Sequence, residues 1–258
     1  GWITDQKDLM DCVEENLRPK LRAAPLHPHF MGIDIALVGD ASAAAVGHLD
    51  DEGKVVLDFV DKIQAGVGEY EDLERLEFDD VADWIEGICK RFYVVDGIFD
   101  QWAGVPMEQA LKKRGLSQLQ SVHFTDRKNS EVYQNFKNLM LDRKMRLFNF
   151  PVPDGEELCE YLQELTELQA EYKSKYIVRV QAPQIEGKHD DLSDALVRMA
   201  WCATVSESKH KVVTGSRNRN RGRTGAGASG AAFGRTSMSR ARMGGSHSSR
   251  MKPKKGRG

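Results

Sequence analysis

Three carboxylates crowd into residues 189–196, directly before the chain becomes strongly apolar. Asp191 and Asp194 are three residues apart and share one face of a helix, as do Asp190 and Asp194 at a spacing of four. Like charges held together on a packed helix repel one another, and a divalent cation relieves that repulsion. The segment therefore predicts one side of a metal site.

Two further carboxylates stand in apolar runs upstream. Asp34 lies in the middle of residues 30–38, and Asp96 ends the run of residues 92–96 before Gly97. Both runs are short and bounded by breakers, which is typical of buried strands. Asp is depleted in strands, so each carboxylate either has a structural role, such as pairing with a basic residue, or serves the site. Two strands with one carboxylate each and one helix with three carboxylates together favour a shared metal site.

The order of the predicted elements indicates an α/β fold. Three strands, at about 30–38, 42–50 and 54–63, form a predicted antiparallel meander. Helices and strands then alternate: helix 71–91, strand 92–96, helix 103–114, strand 121–124, helix 127–143, strand 145–150, helix 154–165, a hairpin ending in strand 176–180, and helix 190–205. The arrangement is RNase H-like, a central mixed sheet with the antiparallel three-strand meander flanked by helices. It predicts Asp34 in mid-sheet, Asp96 at the tip of the neighbouring strand, and the last helix packed across both.

Composition sets broad limits on the function. The chain has 258 residues, of which 40% are hydrophobic and 29% charged, which is ordinary for a globular protein. Neither a secretory signal nor an apolar stretch of the ~20 residues that span a bilayer is present, so no membrane partner is expected. The four cysteines are far apart and form no CxxC pair, which indicates buried thiols in a reducing compartment.

Charge divides the chain into an acidic body and a basic tail. Residues 208–258 carry 14 Lys and Arg and no Asp or Glu, whereas residues 1–207 carry 23 Lys and Arg against 39 Asp and Glu. We expect a linker at 1–29, a globular domain at 30–205 and a disordered basic Gly/Ser/Arg-rich tail at 206–258. The tail either binds a polyanion such as nucleic acid or is a flexible end without a specific partner.

Three motifs resemble the C-terminal nuclease domain of phage terminase large subunits, a family of the RNase H-like superfamily. They are MGIDIA at 31–36, VVDG at 94–97 and HDDLSDAL at 189–196, and the resemblance covers about residues 30–205. It implies a metal-dependent endonuclease that cuts concatemeric double-stranded DNA by two-metal-ion phosphodiester hydrolysis during viral DNA packaging. The expected location is the host cell cytoplasm.

The resemblance also implies partners. Large terminases combine an ATPase motor with this nuclease, but no Walker A loop is present in the sequence. Residues 1–29 are therefore interpreted as the remnant of a connection to an upstream ATPase domain in the full-length protein. Portal and small terminase subunits are further expected partners, together with double-stranded DNA.

Site roles follow from the same resemblance. Asp34 would bridge two ions, Asp96 would hold one and Asp191 the other, with Asp194 as an additional ligand or partner. An all-carboxylate donor set selects Mg²⁺ or Mn²⁺.

Several residues near these motifs are accessory candidates. Asp190 either ligates or caps the last helix. His189 could ligate, act as a base or contact phosphate, or merely set the start of that helix. Asp40 resembles an acidic position in the family's first loop. The candidate phosphate contacts are basic residues that could equally be solvated: Lys188, Arg127 and Lys128.

Two other functions are compatible with the sequence. A Holliday-junction resolvase or transposase-like nuclease of the same fold would use the same carboxylates. A non-catalytic nucleic-acid-binding domain would keep them only as structural groups.

Overall fold

A six-stranded mixed sheet forms the centre of the protein. The computed structural model describes residues 1–23 and 27–219, with side chains up to residue 206. The strands run in the order β5-β4-β1-β2-β3-β6. Their bounds are β1 His29–Asp34, β2 Ser42–Leu49, β3 Val55–Ile63, β4 Val94–Asp100, β5 Leu119–Val122 and β6 Met145–Arg146. Strands β1 to β3 are antiparallel, while β4 and β5 continue the sheet in parallel beyond β1. The predicted fold class is confirmed.

Helices cover both faces of the sheet. They are α1 Gln6–Met10, α2 Phe78–Arg91, α3 Gly104–Lys113, α4 Asp126–Leu141, α5 Glu160–Glu167 and α6 Asp191–Arg219. One apolar core includes Ile33 of β1 and Ile85 of α2, and the other includes Phe30 of β1 and Leu196 of α6. A separate hairpin, β7 Gln169–Tyr172 and β8 Val178–Gln181, lies where a hairpin was predicted.

Close approach of α6 to β1 depends on Gly32. A Cβ atom at this position would overlap the backbone of Ala195 and Met199. Only a residue without a side chain lets the helix lie directly on the strand. The contact brings the first turns of α6 beside the end of β1.

Several element bounds differ from the prediction because tertiary contacts override local patterns. Strand β4 does not end at Gly97 but continues to Asp100, because Gly97 accommodates the side chain of Leu119 from β5. Strand β1 ends at Asp34, so this residue is terminal rather than central. Helix α2 begins only at Phe78, where Glu77 and Asp80 form a capping box.

The N-terminal segment is part of the packed structure. Helix α1 is a short helix, and the chain beyond it pairs Val13 with Leu147 in a parallel bridge. Trp2, Leu9 and Cys12 are buried in the same core as α4 and α6. Residues 1–23 therefore pack on the sheet domain rather than forming a bare linker.

The predicted tail lies largely outside the described residues. Helix α6 runs to Arg219, beyond the predicted end at 205, and residues 220–258 are not described. Among the helices that are described, none combines the length and the apolar character that a membrane span requires.

Candidate metal centre

Asp34 and Asp194 face each other across a buried arginine. The guanidinium of Arg198 donates to Oδ1 of Asp34 at 2.6 Å and to Oδ2 of Asp194 at 2.8 Å. The same group donates to the Ile33 carbonyl at 2.7 Å and lies 4.6 Å from the centre of the Phe124 ring. Arg198 is thus held in one orientation by the end of β1 and by its own helix.

Asp190 and Asp191 extend this acidic surface at the start of α6. Oδ2 of Asp191 accepts from the Ala41 backbone N–H at 3.2 Å, and Oδ2 of Asp190 accepts from the Ala182 N–H at 2.7 Å. Both residues line a cavity together with Asp34. We refer to Asp34, Asp190, Asp191 and Asp194 as the carboxylate cluster, and the structure brings together these four predicted residues.

Among the described residues, the side chain of Asp190 accepts from the Ala182 N–H and does not cap its own helix. That role belongs to Glu164 of α5, whose Oε2 accepts from the backbone N–H of Ser193 at 2.8 Å. Burial raises the pKa of Glu164 to about 8. Glu164 was not predicted as a site residue, since nothing in its local pattern distinguishes it from other glutamates of an amphipathic helix.

The pKa values of the carboxyl groups at the start of α6 are raised. Burial raises the pKa of Asp191 to about 7, and the charge of Asp34 adds to the effect. Burial likewise raises the pKa of Asp190. The pKa of Asp194 is also raised by burial, although Arg198 opposes the shift. One arginine therefore does not balance the negative charge, and a cation bound here would be stabilised.

Asp96 does not reach the carboxylate cluster. It pairs in register with Phe30, four residues before Asp34, which corresponds to about 13 Å along the strand. Its Oδ2 accepts from the Ser206 hydroxyl at 2.7 Å. The predicted position of Asp96 at a strand tip beside Asp34 is wrong because β4 continues for four more residues.

Asp100 occupies the position that was expected for Asp96. It is the last residue of β4, and continuing the pairing of Gly32 with Ile98 by two residues places it opposite Asp34. Both carboxylates line one cavity. Oδ1 of Asp100 also accepts from the Trp102 N–H at 3.1 Å. The signal that could have found it is the apolar pair Ile98-Phe99, which prolongs the strand past Gly97.

The accessory candidates around the carboxylate cluster are His189, Asp40 and Lys188. Nδ1 of His189 is 3.4 Å from Oδ1 of Asp40, and both side chains are exposed. Lys188 lines the cavity that contains Asp34 and Asp100, while its amine pairs with Glu167.

The α4 candidates make local contacts. Arg127 and Lys128 pair with Glu131 of their own helix at 3.4 and 2.7 Å. Arg179 of β8, which was not predicted from the sequence, does line the cavity with Asp34.

Comparison with known proteins identifies the fold. No protein-family model and no curated protein sequence matches the chain. The crystal structure of the large terminase nuclease from thermophilic phage G20c superposes with a TM-score of 0.55 at 16% identity, covering 74% of this chain and 94% of that one. The chain has the fold of the large terminase nuclease domains. The large terminase of bacteriophage HK97 gives a TM-score of 0.59 at 13% identity over 77% of this chain.

The likeness to terminase nucleases defines the architecture alone at these identities. The chain spans 43% of the HK97 large terminase, whereas it covers nearly the whole G20c nuclease. A G20c nuclease structure with bound magnesium superposes equally well, with a TM-score of 0.55 at 14% identity over 75% of this chain and 94% of that one. Any assignment of chemistry to this terminase-like domain must therefore rest on its own carboxylates.

Proposed function

We propose that this chain is a divalent-metal-dependent endonuclease that cuts double-stranded DNA during viral DNA packaging. The observation that carries the proposal is the convergence of Asp34 with the acidic start of α6, where burial and mutual repulsion raise the pKa values of Asp190, Asp191 and Asp194. The fold shared with large terminase nucleases supports the same conclusion.

The donor set fits hard cations. We assign Asp34, Asp100, Asp190 and Asp191 as the ligands, because these residues line two adjoining cavities beside the end of β1. Oxygen ligands favour Mg²⁺ or Mn²⁺. When bound as a pair, such ions supply activation of the attacking water and stabilisation of the leaving oxygen in phosphodiester hydrolysis.

Asp194 has a different role in this proposal. Its two oxygens are engaged by Arg198 and by the hydroxyl of Tyr133. It therefore holds Arg198 in place, and Arg198 in turn orients Asp34 through Oδ1. We assign Asp194 and Arg198 as positioning residues, and Asp34 keeps Oδ2 for a cation.

Basic groups beside the carboxylate cluster would meet the DNA backbone. Arg179 and Lys188 line the cavity with Asp34, and Arg179 belongs to the β7–β8 hairpin. Tyr172 and Tyr176 of this hairpin are highly exposed. Phosphate contacts by these cations and by the tyrosine hydroxyls would offset repulsion by the acidic body.

The cellular setting is part of the proposal. A terminase nuclease would receive DNA from an ATPase motor domain in the same polypeptide and work with portal and small terminase subunits in the host cell cytoplasm. The larger size of the HK97 large terminase supports such a context.

A plasmid cleavage assay tests the proposal. With Mn²⁺ we expect nicking and linearisation of supercoiled DNA, and Asp34→Asn or Asp191→Asn should reduce the rate by at least about 100-fold. The exposed Asp154→Asn variant is the matched control and should cleave normally. Equal activity of all three variants, or full activity in excess chelator, would contradict a metal-dependent nuclease. Preferential cleavage of a four-way junction over plasmid would indicate a resolvase instead.

A further inference from the structure

A second group of potential metal ligands lies at the opposite end of β1. His29, His48 and Asp58 are buried, and their side chains come within ligand-sharing distance of one another. His29 is five residues from Asp34, which is about 17 Å along the strand. This group, which we call the histidine cluster, is therefore separate from the carboxylate cluster.

The sheet builds the histidine cluster through a β-bulge. His29 and His48 are register partners in β1 and β2. Between β2 and β3, Val46 pairs with Phe59 and Gly47 pairs with Leu57, so Asp58 has no register partner. A bulge re-aims a side chain, and here the carboxylate of Asp58 is buried between the two imidazoles.

The buried ring of His29 lacks hydrogen bonds to the described residues. Neither of its ring nitrogens has a hydrogen-bond partner among the described residues, although the side chain is fully buried. Nε2 lies 3.2 Å from Oδ2 of Asp58, which is an ion-pair distance if the ring is protonated but lacks hydrogen-bond geometry. Nδ1 of His48 is 2.5 Å from the same oxygen. Buried polar atoms are nearly always satisfied, so an imidazole aimed at a carboxylate without a bond indicates a missing partner between them.

A third histidine borders the group. The His27 ring lies 4.8 Å from the His48 ring, centroid to centroid, and belongs to the connector that leads into β1. Lys20 approaches the other carboxylate oxygen of Asp58, with Nζ 2.5 Å from Oδ1. The Oδ2 atom of Asp58 faces His29 and His48.

We propose that His29, His48 and Asp58, joined by His27, bind one structural Zn²⁺ ion. Imidazole and carboxylate ligands suit zinc, and bonds of about 2.0–2.1 Å in a tetrahedron separate the ligand atoms by about 3.3 Å. The 3.2 Å contact already has this spacing, and the 2.5 Å contact needs to open by less than about 1 Å. The ion would fasten the N-terminal connector to the end of the central strands that lies away from the carboxylate cluster.

Zinc binding by the whole chain tests this proposal independently of nuclease activity. Chain stripped with chelator is titrated with Zn²⁺ against a chromophoric competitor, and Co²⁺ is used as a spectroscopic probe. The titration is run in an Asp34→Asn, Asp191→Asn background, which removes two of the four proposed ligands of the carboxylate site and so weakens cation binding there. We expect one equivalent of zinc and the visible absorption of tetrahedral Co²⁺.

Variants identify the ligands. His48→Gln and Asp58→Asn should weaken zinc binding by about 100-fold or more, whereas His123→Gln, an exposed histidine, should bind as the parent does. His27→Gln changes only the half-buried connector residue, keeps the fold and should weaken binding by about tenfold. A folded parent chain that binds neither Zn²⁺ nor Co²⁺, or a His48→Gln variant that binds like His123→Gln, would overturn the proposal. Either result would mean that the histidine cluster is metal-free and that Lys20 balances the charge of Asp58.

Discussion

The guanidinium of Arg198 lies between the carboxylates of Asp34 and Asp194, 2.6 Å from one and 2.8 Å from the other. Asp34 ends the central strand, and the other two residues stand one turn apart on α6. This buried pairing ties the sheet to the helix at the point where the candidate metal centre is assembled. It also means that part of the negative charge is balanced before any cation binds.

Replacing Arg198 with Ala should destabilise the metal-free protein. Removal of one partner from a buried ion pair leaves uncompensated charge and typically costs about 3–5 kcal/mol. We expect a loss of this size in the free energy of unfolding, measured by urea denaturation in chelator. The exposed pair of Arg127 with Glu131 supplies the control, since Arg127→Ala should cost less than about 1 kcal/mol. Equal effects of the two variants would contradict the structural role of Arg198.

Asp100 and Asp96 should differ sharply in their effect on cleavage. Asp100→Asn removes a carboxylate that lines the cavity with Asp34, so the nicking rate should fall by about 100-fold. Asp96→Asn alters a contact with Ser206 away from the cavity and should change the rate by less than about threefold. Quantified plasmid nicking with Mn²⁺ measures both. Loss of activity in the Asp96 variant alone would reverse the assignment.

Metal stabilisation should grow with pH. The pKa of Asp191 is raised from 3.8 to about 7 by burial and by Asp34, so the folded chain holds this proton more tightly than the unfolded chain does. The stability of the metal-free protein should therefore fall as pH rises from about 4 to about 7, the window between the unfolded and folded pKa values. A divalent cation replaces the proton and cancels the loss.

Thermal melting across pH 5 to 8 measures this linkage. We expect the gain in Tm on adding Mg²⁺ to be larger at about pH 8 than at about pH 5.5. Asp191→Asn should reduce the dependence without abolishing it, because one of several carboxylates with raised pKa values becomes an amide. A magnesium-induced gain that does not vary with pH would contradict the electrostatic argument.

Gly32 should tolerate no side chain. The added Cβ of Gly32→Ala would overlap the backbone of α6 at Ala195 and Met199, so we expect a loss of about 1–3 kcal/mol or more in stability. Gly87, in α2, has open space around the corresponding atom. Gly87→Ala should instead stabilise the protein by up to about 1 kcal/mol, through helix propensity. Urea unfolding of the two variants gives the comparison.

Much of the fold was predictable because its signals are local. Apolar runs between breakers mark β1 to β3, and the amphipathic spacing of apolar residues marks α2 and α4. The acidic start of α6 is also readable, since Asp190, Asp191 and Asp194 stand next to one another in the chain. Strand ends were less predictable, as Gly97 shows: it resembles a breaker, yet it lies inside β4 to make room for Leu119.

The sequence by itself determined the α/β class, the acidic character of the candidate site and the place of Asp34 within it, because strand and helix periodicity and clustered charge are properties of neighbouring residues. Only the tertiary structure decided that Asp100 rather than Asp96 lies beside Asp34, that Arg198 bridges Asp34 and Asp194, and that Glu164 caps α6. Each of these depends on strand register or on contacts between residues far apart in the chain. A shift of four residues along a strand moves a carboxylate by about 13 Å, and no local pattern encodes that distance.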